Sequence, residues 1–427
     1  MALFLVLAAA LSAVCTQAKT SEQLLDDRGR ADTSAINARS DFFSYEGRFD
    51  FTSSSDSVRS DWPCSRVSFG VDVEGYSDGE VVFAHKSLRS RLNASAWRAD
   101  GTIAYSTIFS GPSAEGFHGV PLQEDALKIP SDSSYVTLRK LTQAAPYGTG
   151  IGEKLLAGSV FEFHGLTSVD GVTVKNAAKK GRVVEYIGAS DSAGYCVEGT
   201  PEMDGSIDLY LNGWEWDNCD LATPGLLGHH FDAELHVEAE GGMGLTQNAN
   251  ARIPAFEGEE PLPFFWAKQT LLTDKYPTFD PKAKPLNPDL VVISLGGNDY
   301  NHQHGNVPSN ETFSEAYEAF LLSIFDAYEA NPTTIILSVC GQGSPAEASF
   351  DPDNNRCSPC PHVEDALVDF KAKHADFADR AELALVPCDG SVVTGEGDIG
   401  CNGHKNAVGQ REVFEHIKPI VSNLLNW

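Results

Sequence analysis

The chain has 427 residues, and 60 Asp and Glu against 31 Lys and Arg give it a formal charge of −29 at pH 7. So acidic a surface repels nucleic acid and anionic membranes, and it disfavours a strongly anionic polysaccharide as a substrate steered from solution. The length fits two or three domains, and beyond the amino terminus no run is apolar enough to cross a bilayer.

Residues 1–18 read as a secretory signal peptide. Leu3 to Leu11 is a short apolar core, and Thr16-Gln17-Ala18 supplies small residues for cleavage, although the usual basic leader is missing. The mature protein is therefore expected outside the cell. Cys15 leaves with the signal, so eight of the nine cysteines remain. An even number in an oxidising compartment reads as disulfides, with about 105 possible connectivities. Cys388 and Cys401 bracket the loop leading to His404, and a bridge between them is the expected pairing. The competing reading makes Cys357, Cys360, Cys388 and Cys401 a zinc site, but the compartment favours bridges. No metal and no cofactor are expected. Asn93-Ala94-Ser95 and Asn310-Glu311-Thr312 are glycosylation sequons.

Residues 19–41 are polar and lack apolar periodicity, as in a linker. From 42 to 178, short β-rich runs alternate with Gly, Ser, Asp and Asn clusters. Runs at 65–71, 81–84, 135–141 and 159–166 predict a β-sandwich. From 181 to 427 the pattern becomes strand, helix, strand. The continuous apolar run 290–295 predicts a strand buried on both faces. Phe313, Tyr317, Phe320, Ile324 and Tyr328 recur at helical spacing, and their stripe predicts core. A strand over 335–340, a helix over 366–378, a strand over 383–387 and a final helix over 410–425 complete a mostly parallel, covered sheet.

Four segments carry the chemistry. The run 183–188 ends at a glycine, and Gly188-Ala189-Ser190 then presents a hydroxyl at a strand's carboxyl end, where open α/β sheets bind ligands. Glu240-Gly241-Gly242-Met243-Gly244 follows the run 233–237, and its glycines let a backbone N–H approach a ligand. Gly296-Gly297-Asn298-Asp299 follows the 290–295 strand and offers an amide donor for an oxyanion. Gly400-Cys401-Asn402-Gly403-His404 precedes the final helix and offers a base for a serine nucleophile. Each piece alone occurs often in turns; their order and strand-end placement together point to a nucleophilic serine hydrolase.

On these motifs residues 181–427 resemble the SGNH, or GDSL-like, hydrolase superfamily. The whole mature chain looks like a family-two carbohydrate esterase, in which a jelly-roll-like β-sandwich precedes a three-layer α/β hydrolase domain with a parallel sheet. Residues 187–195 lie without gaps on that family's first block. The resemblance puts Ser190 at the nucleophile and His404 at the base. It assigns the oxyanion hole to Ser190, Gly242 and Asn298, with Gly241 as the fallback glycine. Ser192 is the alternative nucleophile, since Asp191-Ser192 also reads as a first-block pair once a gap is allowed.

The chain departs from the family at Ala189, where an aspartate is usual, at Asn402, where many members carry the acid, and at Lys405, where a proline is common. An asparagine cannot stabilise an imidazolium by charge. Either Ser190 and His404 form a dyad with a backbone carbonyl orienting the ring, or Asp398 supplies the acid. Trp214, Trp216, Tyr300 and His302 are candidates for sugar stacking or for core. The implied activity is hydrolysis of an acyl ester, foremost O-acetyl, on a polysaccharide or oligosaccharide, with no nucleic-acid or membrane partner. The alternatives are a carbohydrate-binding or cell-wall protein that keeps the fold without activity, and an esterase of small or lipid acyl esters.

Overall fold

The computed structural model describes residues 35–427 except 53, 74, 76, 88, 112–119, 145–158, 204–212, 250–259, 270–278, 281–285, 301–306, 342–358 and 396. The signal peptide, the linker up to residue 34, His302 and Cys357 lie outside the described residues.

Two antiparallel sheets occupy the first part of the chain. One runs β1 (Ile36–Asn37), β10 (Phe161–Asp170), β5 (Gly79–Ser87) and β8 (Gln123–Ile129), with β3 (Val58–Ser60) also paired to β10. The other runs β11 (Val172–Lys175), β4 (Arg66–Val73), β9 (Tyr135–Lys140), β6 (Arg91–Trp97) and β7 (Ile103–Ser110), with β2 (Ser44–Glu46) against β4. Alternation turns Phe69, Val136 and Leu138 of one sheet toward Phe83, Phe161 and Phe163 of the other, in one core. The Phe43 ring meets Phe69 and Phe163 edge-on, with centroids 5.6 and 5.0 Å away. Ile36 and Asn37, expected in the linker, pair with Leu166 and Gly165, and Ile36 is buried. A two-residue strand is too short to leave a periodic signal.

The second part is a five-stranded parallel sheet of β12 (Val183–Gly188), β13 (Glu234–Ala239), β14 (Leu290–Ser294), β15 (Ile335–Cys340) and β16 (Ala381–Leu385). Its order is β13-β12-β14-β15-β16. Helices cover both faces, which is why the strands read as unbroken apolar runs. Helices α4 (Asn310–Ala327) and α5 (Pro359–Lys373) pack Phe313, Tyr317 and Leu367 against Ile187, Val291 and Ile293. On the other face, α2 (Thr223–His230) and α6 (Ala407–Leu425) pack Leu227, Val413 and Ile417 against Val184, Tyr186 and Val292. Ser309 caps α4 by accepting from Thr312 N, and Asn406 caps α6 by accepting from Val408 N and Gly409 N. The final helix continues through Pro419. The chain leaves β12 toward one side and returns for β14 on the other. The carboxyl end of β12 is thus the switch point, where a crevice opens.

The parts are locked together. A disulfide joins Cys64 to Cys219, and Cys219 N donates to Leu141 O at 2.9 Å. Arg48, just after β2, reaches under the parallel sheet. Its Nη2 lies 2.9 Å from Glu185 Oε1 and its Nε 3.1 Å from Glu238 Oε1, with all three side chains at most 1% exposed. Trp266 Nε1 and Tyr328 Oη donate to the same Glu185 carboxylate at 3.0 and 2.8 Å. Burial pushes the Glu238 carboxyl up, against the pull of Arg48. Removing one member of a buried ion pair strands the other charge. Arg48→Met should therefore cost about 3–5 kcal/mol of stability in chemical denaturation. A loss under about 1 kcal/mol would show that the network does not hold the two parts.

Candidate active site

The turn after β12 is built around a missing side chain. A Cβ on Gly188 would sit 2.1 Å from Ser192 Oγ. Ser192 fills that space, is only 3% exposed and bonds the Tyr186 phenol. Its hydroxyl is thus engaged with Tyr186 at the floor of the cavity that Ser190 also lines. Ala189 is extended, with φ −120° and ψ −151°, and the short helix α1 (Ser190–Ala193) starts immediately after it. Ser190 stays partly exposed at that helix start.

His404 meets Ser190 from the loop before α6. Its Nε2 lies 2.7 Å from Ser190 Oγ, and its Nδ1 lies 2.8 Å from the Asn402 carbonyl oxygen. A carbonyl only accepts, so Nδ1 carries the proton and Nε2 accepts from the serine hydroxyl. The carbonyl reaches back because Asn402 adopts φ 53° and ψ 37°, a left-handed conformation that asparagine tolerates better than most residues. The Tyr195 ring packs edge-on against the imidazole, with centroids 4.8 Å apart.

Asp398, the candidate acid, has its carboxylate turned to another task. Oδ2 accepts from Thr394 N and Thr394 Oγ1, and Oδ1 accepts from Gly395 N at 2.9 Å. It holds Thr394 and Gly395, while a carbonyl accepts from Nδ1 of the histidine. The reason is local: an aspartate side chain readily hydrogen-bonds nearby backbone N–H groups, here those of Thr394 and Gly395.

The loop after β13 leaves the same edge of the sheet, since Ala239 pairs with Gly188 in the parallel register. Gly242 has φ +80°, which only glycine takes without strain. Gly241 N donates to Gln143 Oε1 at 3.1 Å, so the fallback glycine's N–H is already engaged. Asn298 Nδ2 donates to Met243 O at 2.7 Å and thereby ties the two strand-end loops together. Asp299 collects Leu245 N, Thr246 N and Gln247 N, at 2.8, 2.6 and 3.2 Å. Ser190, Asn298, Ala189, Leu295, Cys340 and Pro359 line one cavity of about 60 Å³. Sequence reasoning quoted Asp299 but gave it no role, and it missed Gln143 altogether. Adjacency to Asn298 was the signal for the first. The second comes from the segment just after β9, far upstream.

The disulfides correct the expected pairing. Cys401 bonds Cys196, with Cα atoms 5.2 Å apart, and Cys340 bonds Cys360. Cys388 is disulfide-bonded as well, but not to Cys401. Cys196 lies just beyond the helix α1, and packing rather than nearness in sequence brings Cys401 to it. These bridges also remove Cys360 and Cys401 from the zinc reading. Trp216 packs with Tyr195 and Met203 around the Cys196–Cys401 bridge. Tyr300 is buried and stacks on His362 at 4.7 Å, which makes it core rather than rim.

This architecture recurs among solved structures. A family-two carbohydrate esterase from Cellvibrio japonicus superposes with a TM-score of 0.68 at 15% identity, over 93% of this chain and 99% of its own. The chain shares its fold with the family-two carbohydrate esterases. A carbohydrate esterase family 2 enzyme plus carbohydrate binding domain from Corynascus thermopiles (Myceliophthora fergusii) gives 0.66 at 18% identity, over 90% of this chain and 100% of its own. An acetyl xylan esterase from Butyrivibrio proteoclasticus gives 0.63 at 14%, over 91% and 97%. No family model and no curated relative matches the sequence.

Within this family-two esterase fold the base of the Gly241–Gly242 loop carries a buried charge problem. Glu240 is fully buried, and burial raises its carboxyl well above the usual range, opposed by Lys140. Burial likewise lowers Lys140 to about 8. The unfolded carboxyl titrates at about 4.3. With the folded value raised, Glu240's contribution is complete below that pH and is lost as pH rises through the folded value. Glu240→Gln stays neutral throughout. Its melting temperature should therefore gain on the wild type as pH goes from about 4 to 8. Parallel melting curves across that range would show that Glu240 is not held neutral.

Proposed function

We propose that this protein is a secreted serine esterase that removes acyl groups, foremost O-acetyl, from a carbohydrate. The observation that carries the reading is the 2.7 Å contact between Ser190 Oγ and a His404 whose tautomer is fixed by the Asn402 carbonyl. Ser190 Oγ attacks the ester carbonyl while His404 Nε2 takes its proton. Backbone N–H groups of Ser190 and Gly242 and the second amide hydrogen of Asn298 receive the oxyanion. His404 then gives its proton to the departing sugar oxygen. Water, deprotonated by the same nitrogen, hydrolyses the acyl-enzyme.

In this reading the pair works as a dyad. The Asn402 carbonyl orients the ring without supplying a charge, and Asp398 stays structural. The cavity of about 60 Å³ beside Ser190 suits a short acyl group. The net charge of −29 suits a neutral sugar polymer over an anionic one. The disulfides suit the extracellular placement implied by residues 1–18. We read the antiparallel sheets as the β-sandwich domain and the remainder as the hydrolase domain. The solved relatives named as carbohydrate esterases and an acetyl xylan esterase support the substrate class.

A non-catalytic carbohydrate-binding protein is the second reading, favoured by the lack of an acid at Asn402. Hydrolysis of p-nitrophenyl acetate and of acetylated xylan or mannan separates the two. Ser190→Ala should lower kcat by several orders of magnitude with folding preserved, and a serine-reactive phosphonate should label Ser190. Inactivity of the wild type on every ester, or labelling at Ser192, would sink the esterase assignment as written. Asn298→Ala should cost about 10²–10³ in kcat. Asp398→Asn should leave kcat within about tenfold, whereas loss of a triad acid costs about 10⁴.

A further inference from the structure

We propose that Lys405 is a positioning residue, which sets the distance between His404 and Ser190 through a buried ion pair with Asp191. The inference rests on the reading of Ser190 and His404 as the reacting pair.

The argument begins with who orients the histidine. The Asn402 carbonyl belongs to the same short loop as the ring it holds. If that loop shifts, ring and carbonyl shift together. The Nδ1 bond therefore fixes the tautomer but not the position of the ring against Ser190. That position needs ties running from the histidine loop to the nucleophile turn.

Two such ties stand out. One is the Cys196–Cys401 disulfide, which anchors the loop before His404. The other joins the residues directly following each member of the pair. Lys405 Nζ lies 2.7 Å from Asp191 Oδ2, and Lys405 N donates to Asp191 Oδ1 at 3.4 Å. The lysine side chain is 2% exposed and the aspartate 16%. A buried pair of this kind rarely improves on apolar packing for stability, so its use lies in the geometry it enforces. Asp191 is itself fixed, because its carbonyl accepts from Gln410 Nε2 at 2.9 Å. Gln410 Oε1 is held in turn by Thr223 N and Oγ1, at 3.0 and 2.8 Å. The chain of contacts thus starts in α2 and α6 and ends one residue from each reacting atom.

The experiment compares Lys405→Met, Lys405→Arg, Asp191→Asn and the double variant Lys405→Met/Asp191→Asn with wild type. Steady-state kinetics on p-nitrophenyl acetate and nitrogen NMR of His404 are the readouts. Lys405→Met should lose about 10- to 100-fold in kcat with KM within about threefold, because an error near 1 Å in a reacting pair costs on that order. Lys405→Arg should recover most of the loss, and the double variant should be no worse than the worse single one. The Nε2 nitrogen signal should carry the mark of a hydrogen bond accepted from Ser190 in the wild type and lose it in Lys405→Met, whereas the Nδ1–H tautomer should persist in both. If Lys405→Met fails to fold, Asp191→Asn carries the same expectations. A folded Lys405→Met with kcat within twofold of wild type would overturn the proposal, as would an arginine variant as impaired as the methionine one. If the wild type hydrolyses no ester, the enzymatic reading falls and NMR alone decides: loss of the Nε2 hydrogen-bond signal in Lys405→Met supports the positioning role, and an unchanged Nε2 signal ends it.

Discussion

Two glutamates buried on neighbouring parallel strands make the rest of this molecule necessary. Glu185 and Glu238 face the same interior, and Arg48 from the antiparallel part is the cation between them. Two buried carboxylates without a partner would be too costly for a stable sheet. The parallel sheet therefore cannot be complete without the segment that delivers Arg48. The Cys64–Cys219 bridge adds a covalent tie to the same junction.

The strands that Arg48 grips are the ones that deliver the site. β12 carries Glu185 and ends in the turn of Ser190. β13 carries Glu238 and ends in the loop of Gly242. Gln143, placed just after β9, completes the support by accepting from Gly241 N. The antiparallel part thus acts as a brace under the crevice. For the proposed esterase such preorganisation would matter, because donors for an oxyanion are effective only if they need not move during the reaction.

Topology does the remaining assembly. Because β14 lies on the opposite side of β12 from β13, the Asn298 and Gly242 loops flank Ser190 from two directions. His404 arrives from the other end of the chain, just ahead of α6, and the Cys196–Cys401 bridge ties its loop to the segment just after the Ser190 helix. A carbonyl in place of a carboxylate at Nδ1 changes what the protein must control. In the proposed dyad charge would not help to hold the ring, which leaves that duty to the disulfide and the Lys405–Asp191 pair.

The sequence by itself determined the elements with a strong pattern. Apolar runs 290–295 and 335–340 read as strands covered on both faces, and the stripe from Phe313 to Tyr328 read as a core-facing helix. Gly188-Ala189-Ser190 and Gly297-Asn298 were legible for the same reason, since turn residues directly after such strands mark a sheet edge. Tertiary structure alone decided what depends on contacts between distant segments. No periodicity announces the two-residue β1. Cys401 pairs with Cys196 across a separation of 205 residues, and no local rule selects that partner over Cys388. Asp398 is close to His404 in sequence, yet its carboxylate serves the nearer backbone of Thr394 and Gly395. Patterns of period two or 3.6 report which face of an element is buried, whereas the packing of whole elements decides which side chains meet.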